Sequence, residues 1–319
     1  MNAISGRAKR TIVAAIDGGS LSSRVLVTAT GVAPLFAADV LALHVLERPD
    51  EAAMARQKAA AAGIVLQVGE GPVLATLIAR CAAADVAAAV IGASAGRSGE
   101  RALGHRALGL ITATCRPVIV VPDGADALTQ VHRLLLPLDA PLATQEALFD
   151  TVAVALAADI DIIALHVWGI RDVPMFNDQP HHEWRGWSQD FMRRYWPASM
   201  PHPKLQRRVG VPAEQIVAAM AETGADLLVL GWRQDLSPGR ARVVSAALLT
   251  SRKPVLLVPV EPIRTVDDRT LVGQRTGISP RLPWLRALDS ATLVDTSGPL
   301  TSETVPAGTL VPRGPDLLP

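Results

Sequence analysis

Aromatic residues and cysteine are scarce in this chain of 319 residues. Phe, Trp and Tyr together make up 3% of the sequence, and its two cysteines are Cys81 and Cys115. Both cysteines lie in alanine-containing segments of helical character, so we interpret them as buried free thiols in a reducing compartment. Hydrophobic residues make up 49% of the chain, which is enough to build buried cores without a disulfide framework. We therefore expect a globular, cytoplasmic protein.

An excess of charge and long apolar runs are also missing. The 31 basic side chains almost balance the 30 acidic ones, which gives no electrostatic footprint for nucleic acid or for an anionic membrane. The apolar runs have the length of single strands and are too short to cross a bilayer. The basic N-terminus is not followed by an apolar stretch with a cleavage site, so we expect no signal peptide. We expect neither nucleic acid nor membrane as a partner.

What the chain does contain is an internal repeat. Residues 13–18 recur as 135–140, and residues 41–45 recur as 163–167, both at an offset of 122 residues. The later pairs of the repeat match at larger offsets, so the second copy carries a net insertion after its His-Val segment. Two copies of one supersecondary unit predict two similar domains.

Each copy alternates β-branched apolar runs with alanine- and leucine-rich segments of helical length. Continuous apolar runs are typical of strands covered on both faces, as in a parallel sheet. Parallel strands need right-handed crossover connections, so each copy is predicted to be a doubly wound, five-stranded α/β domain. The predicted strands are 11–16, 40–46, 64–68, 86–91 and 117–121 in the first copy, and 133–138, 161–167, 204–209, 226–230 and 254–259 in the second. The predicted helices of the first copy are 22–37, 51–62, 72–83 and 104–114, with a kink or an early end at Pro34.

The domain boundaries follow from the ends of these patterns. We predict a first domain over residues 1–124, a linker near 122–131 and a second domain over 132–261. From residue 262 to residue 319 the periodicity is lost and Pro, Gly, Ser, Thr and Arg dominate. This segment is predicted to be a largely disordered tail.

Five elements in a fixed order, present twice, resemble the universal stress protein family. They are a first strand that ends in Asp, a His-Val second strand, a Val-containing third strand before a Gly/Pro helix start, a glycine after the fourth strand, and a last strand of the type Pro-Val-Ile-Val-Val. The resemblance implies the adenine-nucleotide α-hydrolase-like fold, and some members of the family bind ATP. Members pair through the last strand, so the resemblance implies an intrachain pseudo-dimer, and the chain is open to further pairing as a homodimer. We expect each copy to keep its own layer, not to build one undivided layer with the other.

The family's nucleotide loop reads Gly, two residues, Gly, nine residues, Gly, then Ser or Thr. The first copy keeps a glycine-rich version with two arginines, in which a histidine replaces the final hydroxyl. The resemblance assigns a nucleotide-binding role to one set of residues: Asp17, Gly18, Val45, Gly92, Gly96, Arg97, Gly99, Gly104 and His105. The implied cofactor is ATP, another adenine nucleotide or another small anionic ligand, held by backbone N–H groups and a helix N-terminus. The alternative is a loop that closes an α/β turn without a ligand.

The second copy departs further from this loop. It keeps Gly231, but Trp232 is bulky where a phosphate would approach, and Ala241 and Arg242 replace the closing pair. We interpret its nucleotide site as degenerate. A set of three guanidinium groups, on Arg233, Arg240 and Arg242, leaves open the binding of another anion.

The insertion of the second copy carries an aromatic stripe. Trp184, Trp187, Phe191 and Tyr195 recur at helical spacing within a predicted helix near 182–196. The stripe either covers a pocket or docks a partner, or it packs against its own domain, which we favour. A metal site at Asp178, His181, His182 and Glu183 is not expected, because adjacent histidines on a helix diverge by about 100°. His44 and His166 occupy equivalent positions and are interpreted as structural, hydrogen-bonded residues.

Three functions are compatible with these features. The first is a non-catalytic module of the stress response that senses a small ligand and acts through partners. The second is an ATP-dependent enzyme of the wider adenine-nucleotide α-hydrolase-like group, which would need phosphate-handling motifs such as Ser-Gly-Gly-x-Asp that we do not find. The third is an interaction scaffold without a ligand. We favour the first and expect the protein not to be an enzyme.

Overall fold

The computed structural model describes most of the chain up to residue 260. The described residues are 10–46, 49–93, 104–139, 142–169, 180–196, 202–203, 205–235 and 241–260. The predicted tail lies outside this part of the chain. So do Gly96, Arg97, Gly99 and Arg240 of the two loops.

The elements alternate strand and helix as predicted. The first half contains β1 (Thr11–Ala15), α1 (Ser22–Phe36), β2 (Asp39–Val45), α2 (Pro49–Ala61), β3 (Val65–Gly69), α3 (Val73–Ala82), β4 (Val86–Ala93), α4 (His105–Ala113) and β5 (Val118–Pro122). The second half contains β6 (Arg133–Pro137), α5 (Leu142–Ala157), β7 (Asp161–Trp168), α6 (Pro180–Met192), β8 (Gln206–Val209), α7 (Pro212–Thr223), β9 (Leu227–Trp232), α8 (Arg242–Thr250) and β10 (Val255–Pro259). We call β1–β5 with α1–α4 lobe 1, and β6–β10 with α5–α8 lobe 2.

Both lobes have the same sheet topology. The strand order is β3-β2-β1-β4-β5 in lobe 1 and β8-β7-β6-β9-β10 in lobe 2, and every pair inside a lobe is parallel. The chain order therefore reverses between β1 and β4 and, equivalently, between β6 and β9. The predicted doubly wound, five-stranded parallel domain is confirmed in each lobe.

The two lobes meet through their last strands. β5 and β10 pair antiparallel, with Val120 opposite Val255, Ile119 opposite Leu256 and Val118 opposite Leu257. The expected intrachain pairing is present, and it makes one continuous ten-stranded sheet. The expectation of two separate layers was therefore wrong. The reason is that each lobe would otherwise leave a last strand with unpaired N–H and C=O groups, and the antiparallel join pairs these edges with each other.

Helices cover both faces of the sheet. One core cluster lies under α1, α2, α5 and α6, and the other lies under α3, α4, α7 and α8. Seven of the eight residues of β4 are buried, as expected for a strand covered on both sides. The apolar runs that predicted the strands therefore serve both cores, with alternate side chains directed to opposite faces.

Two local features, Pro34 in α1 and the two cysteines, can be compared with the expectations from the sequence. Helix α1 continues through Pro34 and ends at Phe36, followed by Ala37 in the left-handed region with φ 45°. The helix therefore does not end at Pro34, and the expectation of an early end at that residue was wrong. Cys81 is buried, and burial raises its pKa to about 11. Cys115 is exposed and lies beyond the end of α4, so its prediction as a buried helical thiol was wrong.

Candidate functional site

A cavity of about 470 Å³ lies at the carboxyl edge of lobe 1. It opens beside the ends of β1, β2 and β4, where the strand order reverses, which is the place where open α/β sheets bind ligands. The starts of α1, α3 and α4 complete its wall. The residues that line it are Ala15, Ile16, Asp17, Leu21, Ser22, Val25, Leu43, His44, Val45, Val73, Leu77, Ile91, Gly92, Gly104, His105, Arg106 and Ala107.

Asp17 is held in one orientation at the rim of this cavity. Its Oδ1 atom accepts a hydrogen bond from the N–H of Gly19 at 2.7 Å and another from the hydroxyl of Ser22 at 2.9 Å. The N–H of Gly18 donates to the Ser22 hydroxyl at 3.1 Å, and Gly18 has φ 83°, a conformation that favours glycine. The exposed carboxylate is thus a fixed hydrogen-bond acceptor for a ligand.

The sequence analysis missed Ser22. Its counterpart in lobe 2 is Thr144, which hydrogen-bonds to the carboxylate of Asp139. Asp17 and Ser22 have the same separation as Asp139 and Thr144, so the repeat itself contained the signal: a hydroxyl recurs at the same offset as the aspartate.

The N-terminus of α4 forms the opposite wall. Gly104 is its N-cap, no side chain caps the first turn, and that turn contains no acidic residue. Instead His105 and Arg106 occupy it, and both line the cavity. The unpaired N–H groups and the dipole of a helix make its N-terminus favourable for an anion, and the basic side chains add to this. This end of the cavity therefore suits a negatively charged group.

Gly92 has a packing role in addition to lining the cavity. A Cβ atom at this position would lie 2.5 Å from Cδ2 of Leu21. At the equivalent Gly231 of lobe 2, a Cβ atom would lie 2.7 Å from Cγ2 of Thr144. The glycine near the end of the fourth strand thus lets the start of the first helix of the lobe approach the sheet in both lobes. Its presence does not by itself indicate a phosphate site.

Val45 and His44 form the wall contributed by β2. Nδ1 of His44 lies 3.0 Å from the carbonyl oxygen of Ile16, and Nδ1 of His166 lies 2.8 Å from that of Leu138. A carbonyl only accepts, so Nδ1 carries the proton in both rings. The expectation that both histidines are hydrogen-bonded is confirmed, and their structural role stays a prediction. The Nε2 atom of His44 is buried and has no partner within the described chain.

The structure therefore brings together six of the nine predicted site residues. Asp17, Val45, Gly92, Gly104 and His105 line the cavity, and Gly18 shapes the turn beside Asp17. The other three, Gly96, Arg97 and Gly99, lie outside the described residues.

The corresponding region of lobe 2 is different. Asp139 is solvent-accessible, yet desolvation by the surrounding protein raises its pKa, although Thr144, Arg233 and His166 act in the opposite direction. Tyr195 is completely buried close to Asp139. A buried aromatic side chain is thus near enough to interact electrostatically with the aspartate that matches Asp17.

The aromatic stripe packs against its own lobe, as favoured. Phe191, Tyr195 and Trp196 are buried in the core, and Trp184 and Trp187 pack against it. Trp184 stacks on Trp187 at 5.3 Å between ring centroids, and Trp187 stacks on Phe191 at 4.8 Å. Helix α6 connects β7 to β8 just as α2 connects β2 to β3. The predicted helix was too long, because α6 ends at Met192 and Tyr195 lies in the turn beyond it.

The described residues contain no group of three His, Cys, Asp or Glu side chains that could hold a metal ion. The side chains of Asp178, His181, His182 and Glu183 lie outside this description. Within the described chain, no helix combines the length and the apolar character needed to cross a membrane.

Comparison with known proteins agrees with this architecture. Residues 130–259, which span lobe 2, match the model of the universal stress protein family. The match does not extend to lobe 1. A search of curated proteins gives no match.

Two solved structures are similar over most of the described fold. One is a universal stress protein from Archaeoglobus fulgidus DSM 4304, with a TM-score of 0.53, 16% identity, and coverage of 78% of this chain and 96% of that one. The other is a functionally unknown protein from Pseudomonas aeruginosa PAO1, with a TM-score of 0.59, 15% identity, and coverage of 79% and 93%. At these identities the likeness concerns the fold.

Proposed function

We propose that this chain is a tandem universal stress protein whose lobe 1 binds an adenine nucleotide such as ATP, and that it serves as a non-catalytic regulatory module of the stress response. The tandem arrangement is supported by the shared strand order of the lobes and by the paired positions of Asp17 with Asp139 and His44 with His166.

The cavity of lobe 1 is the observation that carries the nucleotide proposal. Its volume of about 470 Å³ lies in the range of small-molecule sites, roughly 300–1,000 Å³. One wall offers a fixed carboxylate, Asp17, and the opposite wall offers a helix N-terminus with His105 and Arg106. A nucleotide has hydrogen-bond donors on its base and ribose and negative charge on its phosphates. We assign the donors to Asp17 and the phosphates to the start of α4.

Lobe 2 is assigned a structural role. Tyr195 lies beside Asp139, and Trp232, at the place where a phosphate would approach, is buried. The expected stoichiometry is therefore one nucleotide per chain.

A thermal-shift titration with ATP tests the proposal. ATP at a hundred times its Kd should stabilise the wild type by about 2.7 kcal/mol, or roughly 5–10 °C in Tm. Gly104→Trp places a large side chain at the α4 wall and should abolish this shift. Gly186→Trp is the matched control, because a Cβ atom at this exposed position of α6 meets nothing within 4 Å. The control should keep the full shift.

The outcomes separate the alternatives. No shift in the wild type would favour the scaffold without a ligand. Equal loss of the shift in both variants would refute the assignment to lobe 1. The same samples, analysed for ADP or AMP after prolonged incubation, test the non-catalytic role, which turnover of ATP would contradict.

A further inference from the structure

Lobe 2 caps the C-terminal end of the lobe 1 helix that forms the cavity wall. The indole Nε1–H of Trp232 donates to the carbonyl oxygen of Ile111 in α4 at 3.0 Å. The side-chain amide of Gln234 donates to the same oxygen at 3.1 Å and to the carbonyl oxygen of Thr114 at 2.6 Å. Two side chains of one lobe therefore make three hydrogen bonds to one helix end in the other.

These bonds satisfy groups that the helix cannot satisfy itself. The last four carbonyls of an α-helix have no N–H donor inside the helix. Ile111 lies in the last turn of α4, and Thr114 is its C-cap residue, with a buried side chain. A buried carbonyl without a partner costs roughly 1–3 kcal/mol. The hydrogen bonds from Trp232 and Gln234 avoid this cost.

The antiparallel join of the sheet makes this contact possible. Helix α4 ends just before β5 begins, and β9 is parallel to β10, which runs against β5. The end of β9, where Trp232 lies, is therefore at the same edge of the sheet as the end of α4. Trp232 and Gln234, at the start of the loop that would hold phosphates in a binding lobe, thus contact the neighbouring lobe.

The sequence at this loop is specialised for the contact. Gln234 stands near the second glycine of the nucleotide loop and has φ 59°, a left-handed conformation that is unfavourable for a residue with a side chain. In lobe 1 the residue after Gly92 is Ala93, which has no side-chain donor, whereas Trp232 follows Gly231. Trp232 and Gln234 of lobe 2 therefore cap a helix of lobe 1, and the repeat does not share these residues.

We propose that Trp232 and Gln234 are positioning residues for the lobe 1 site. They fix the C-terminal end of α4, and because α4 is a single nine-residue helix, they also fix Gly104, His105 and Arg106 at its other end. The altered loop of lobe 2 has exchanged phosphate binding for control of the cavity in lobe 1. By linkage, a ligand that orders the start of α4 strengthens the contact between the lobes.

The double variant Trp232→Phe with Gln234→Met tests this inference in the full chain. It keeps an aromatic ring at position 232 and a side chain of similar size at position 234, and it removes all three donors. Hydrogen exchange of peptides covering residues 105–114 should increase about tenfold, and the Kd for ATP measured by calorimetry should rise several-fold. Met220→Ala in α7 is the control, because it removes a buried side chain on the same face of the sheet in lobe 2 and contributes none of these donors. It should lower Tm and leave the Kd unchanged.

Each result is decisive. Unchanged exchange of α4 in the double variant would overturn the cap. Faster exchange with an unchanged Kd would overturn the positioning role. The affinity measurement rests on the proposed function, but the exchange measurement does not. Absence of ATP binding by the wild type would therefore refute the nucleotide site, while exchange still decides whether α4 is held by lobe 2.

Discussion

Equivalent residues of the two lobes keep their geometry but differ in their surroundings. Asp17 and Asp139 each bond to a hydroxyl in the first turn of the following helix, and His44 and His166 each bond to the carbonyl before the aspartate. In lobe 1 the aspartate faces a cavity, whereas in lobe 2 it lies beside Tyr195. The same backbone arrangement therefore lies at a cavity in one lobe and near a buried aromatic side chain in the other.

The raised pKa of Asp139 predicts a pH-dependent effect of Asp139→Asn. In the unfolded chain Asp titrates near 3.9, and in the folded protein it titrates higher, mainly because of desolvation. The folded state therefore loses stability as pH rises from the unfolded pKa through the folded one. Asp139→Asn should raise Tm at pH 7 relative to the wild type, and the two proteins should converge below the unfolded pKa. Thermal melts at pH 7 and pH 3 check this, and a larger gain at pH 3 would contradict it.

Removing the buried hydroxyl of Tyr195 should stabilise the protein or leave it unchanged. Burial raises the pKa of Tyr195, and the side chain of Gln145 acts in the opposite direction. The hydroxyl nevertheless makes no hydrogen bond of ordinary geometry within the described chain. A buried hydroxyl without a partner costs roughly 1–3 kcal/mol. Tyr195→Phe should gain up to about 1 kcal/mol, measured by urea unfolding. A decrease of that size in the free energy of unfolding would show that the hydroxyl bonds to Gln145. Tyr195→Leu is the control, because it removes the aromatic ring as well as the hydroxyl.

At the scale of elements, glycines mark where helices approach their neighbours closely. A Cβ atom on Gly31 of α1 would lie 2.2 Å from the carbonyl oxygen of Leu128, in the segment that links the lobes. A Cβ atom on Gly109 of α4 would lie 2.5 Å from Cδ2 of Leu74. The neighbour of Gly31 is a backbone atom, whereas the neighbour of Gly109 is the end of a flexible side chain. The linker is thus packed directly on α1.

Gly31→Ala and Gly109→Ala form a matched pair. Alanine should stabilise either helix by roughly 1 kcal/mol through its propensity, but the clash at position 31 can be relieved only by moving the linker backbone. We expect Gly31→Ala to lose roughly 1–3 kcal/mol and Gly109→Ala to lose clearly less. Chemical denaturation measures the loss of stability in both variants. Equal losses would show that the linker backbone moves as easily as the side chain of Leu74.

Elements that depend on local pattern could be predicted from the sequence, and contacts between distant segments could not. The strands of both lobes follow from continuous apolar runs, and α1 follows from its helical composition. The hydrogen bonds from Trp232 and Gln234 to α4 connect segments more than a hundred residues apart in the sequence. They depend on the antiparallel pairing of β5 with β10, which no local pattern encodes. Asp17 and Gly104 were found through the family resemblance, but the cavity that unites them required the structure.

For the whole molecule, the join between β5 and β10 determines how the lobes associate. A lobe 1 fragment of residues 1–131 would leave β5 as an open edge with buried apolar residues such as Ile119 and Val120. We expect this fragment to form a homodimer through β5, because an unpaired edge strand is a template for pairing. Light scattering coupled to size exclusion measures this at micromolar concentration.

Val120→Lys is the control for this fragment. The charge should weaken the dimer, and circular dichroism establishes that the fold is retained. A wild-type fragment that stays monomeric would show that the sheet edge alone does not drive association.

Carrying both lobes on one polypeptide removes the constraint of two-fold symmetry. In a homodimer every substitution appears on both sides of the interface, so a tryptophan that improves one contact must also be tolerated at its mirror position. Here Trp232 is present once and its counterpart is Ala93. One half can therefore change at the interface while the other half keeps its own residue, which identical subunits cannot do.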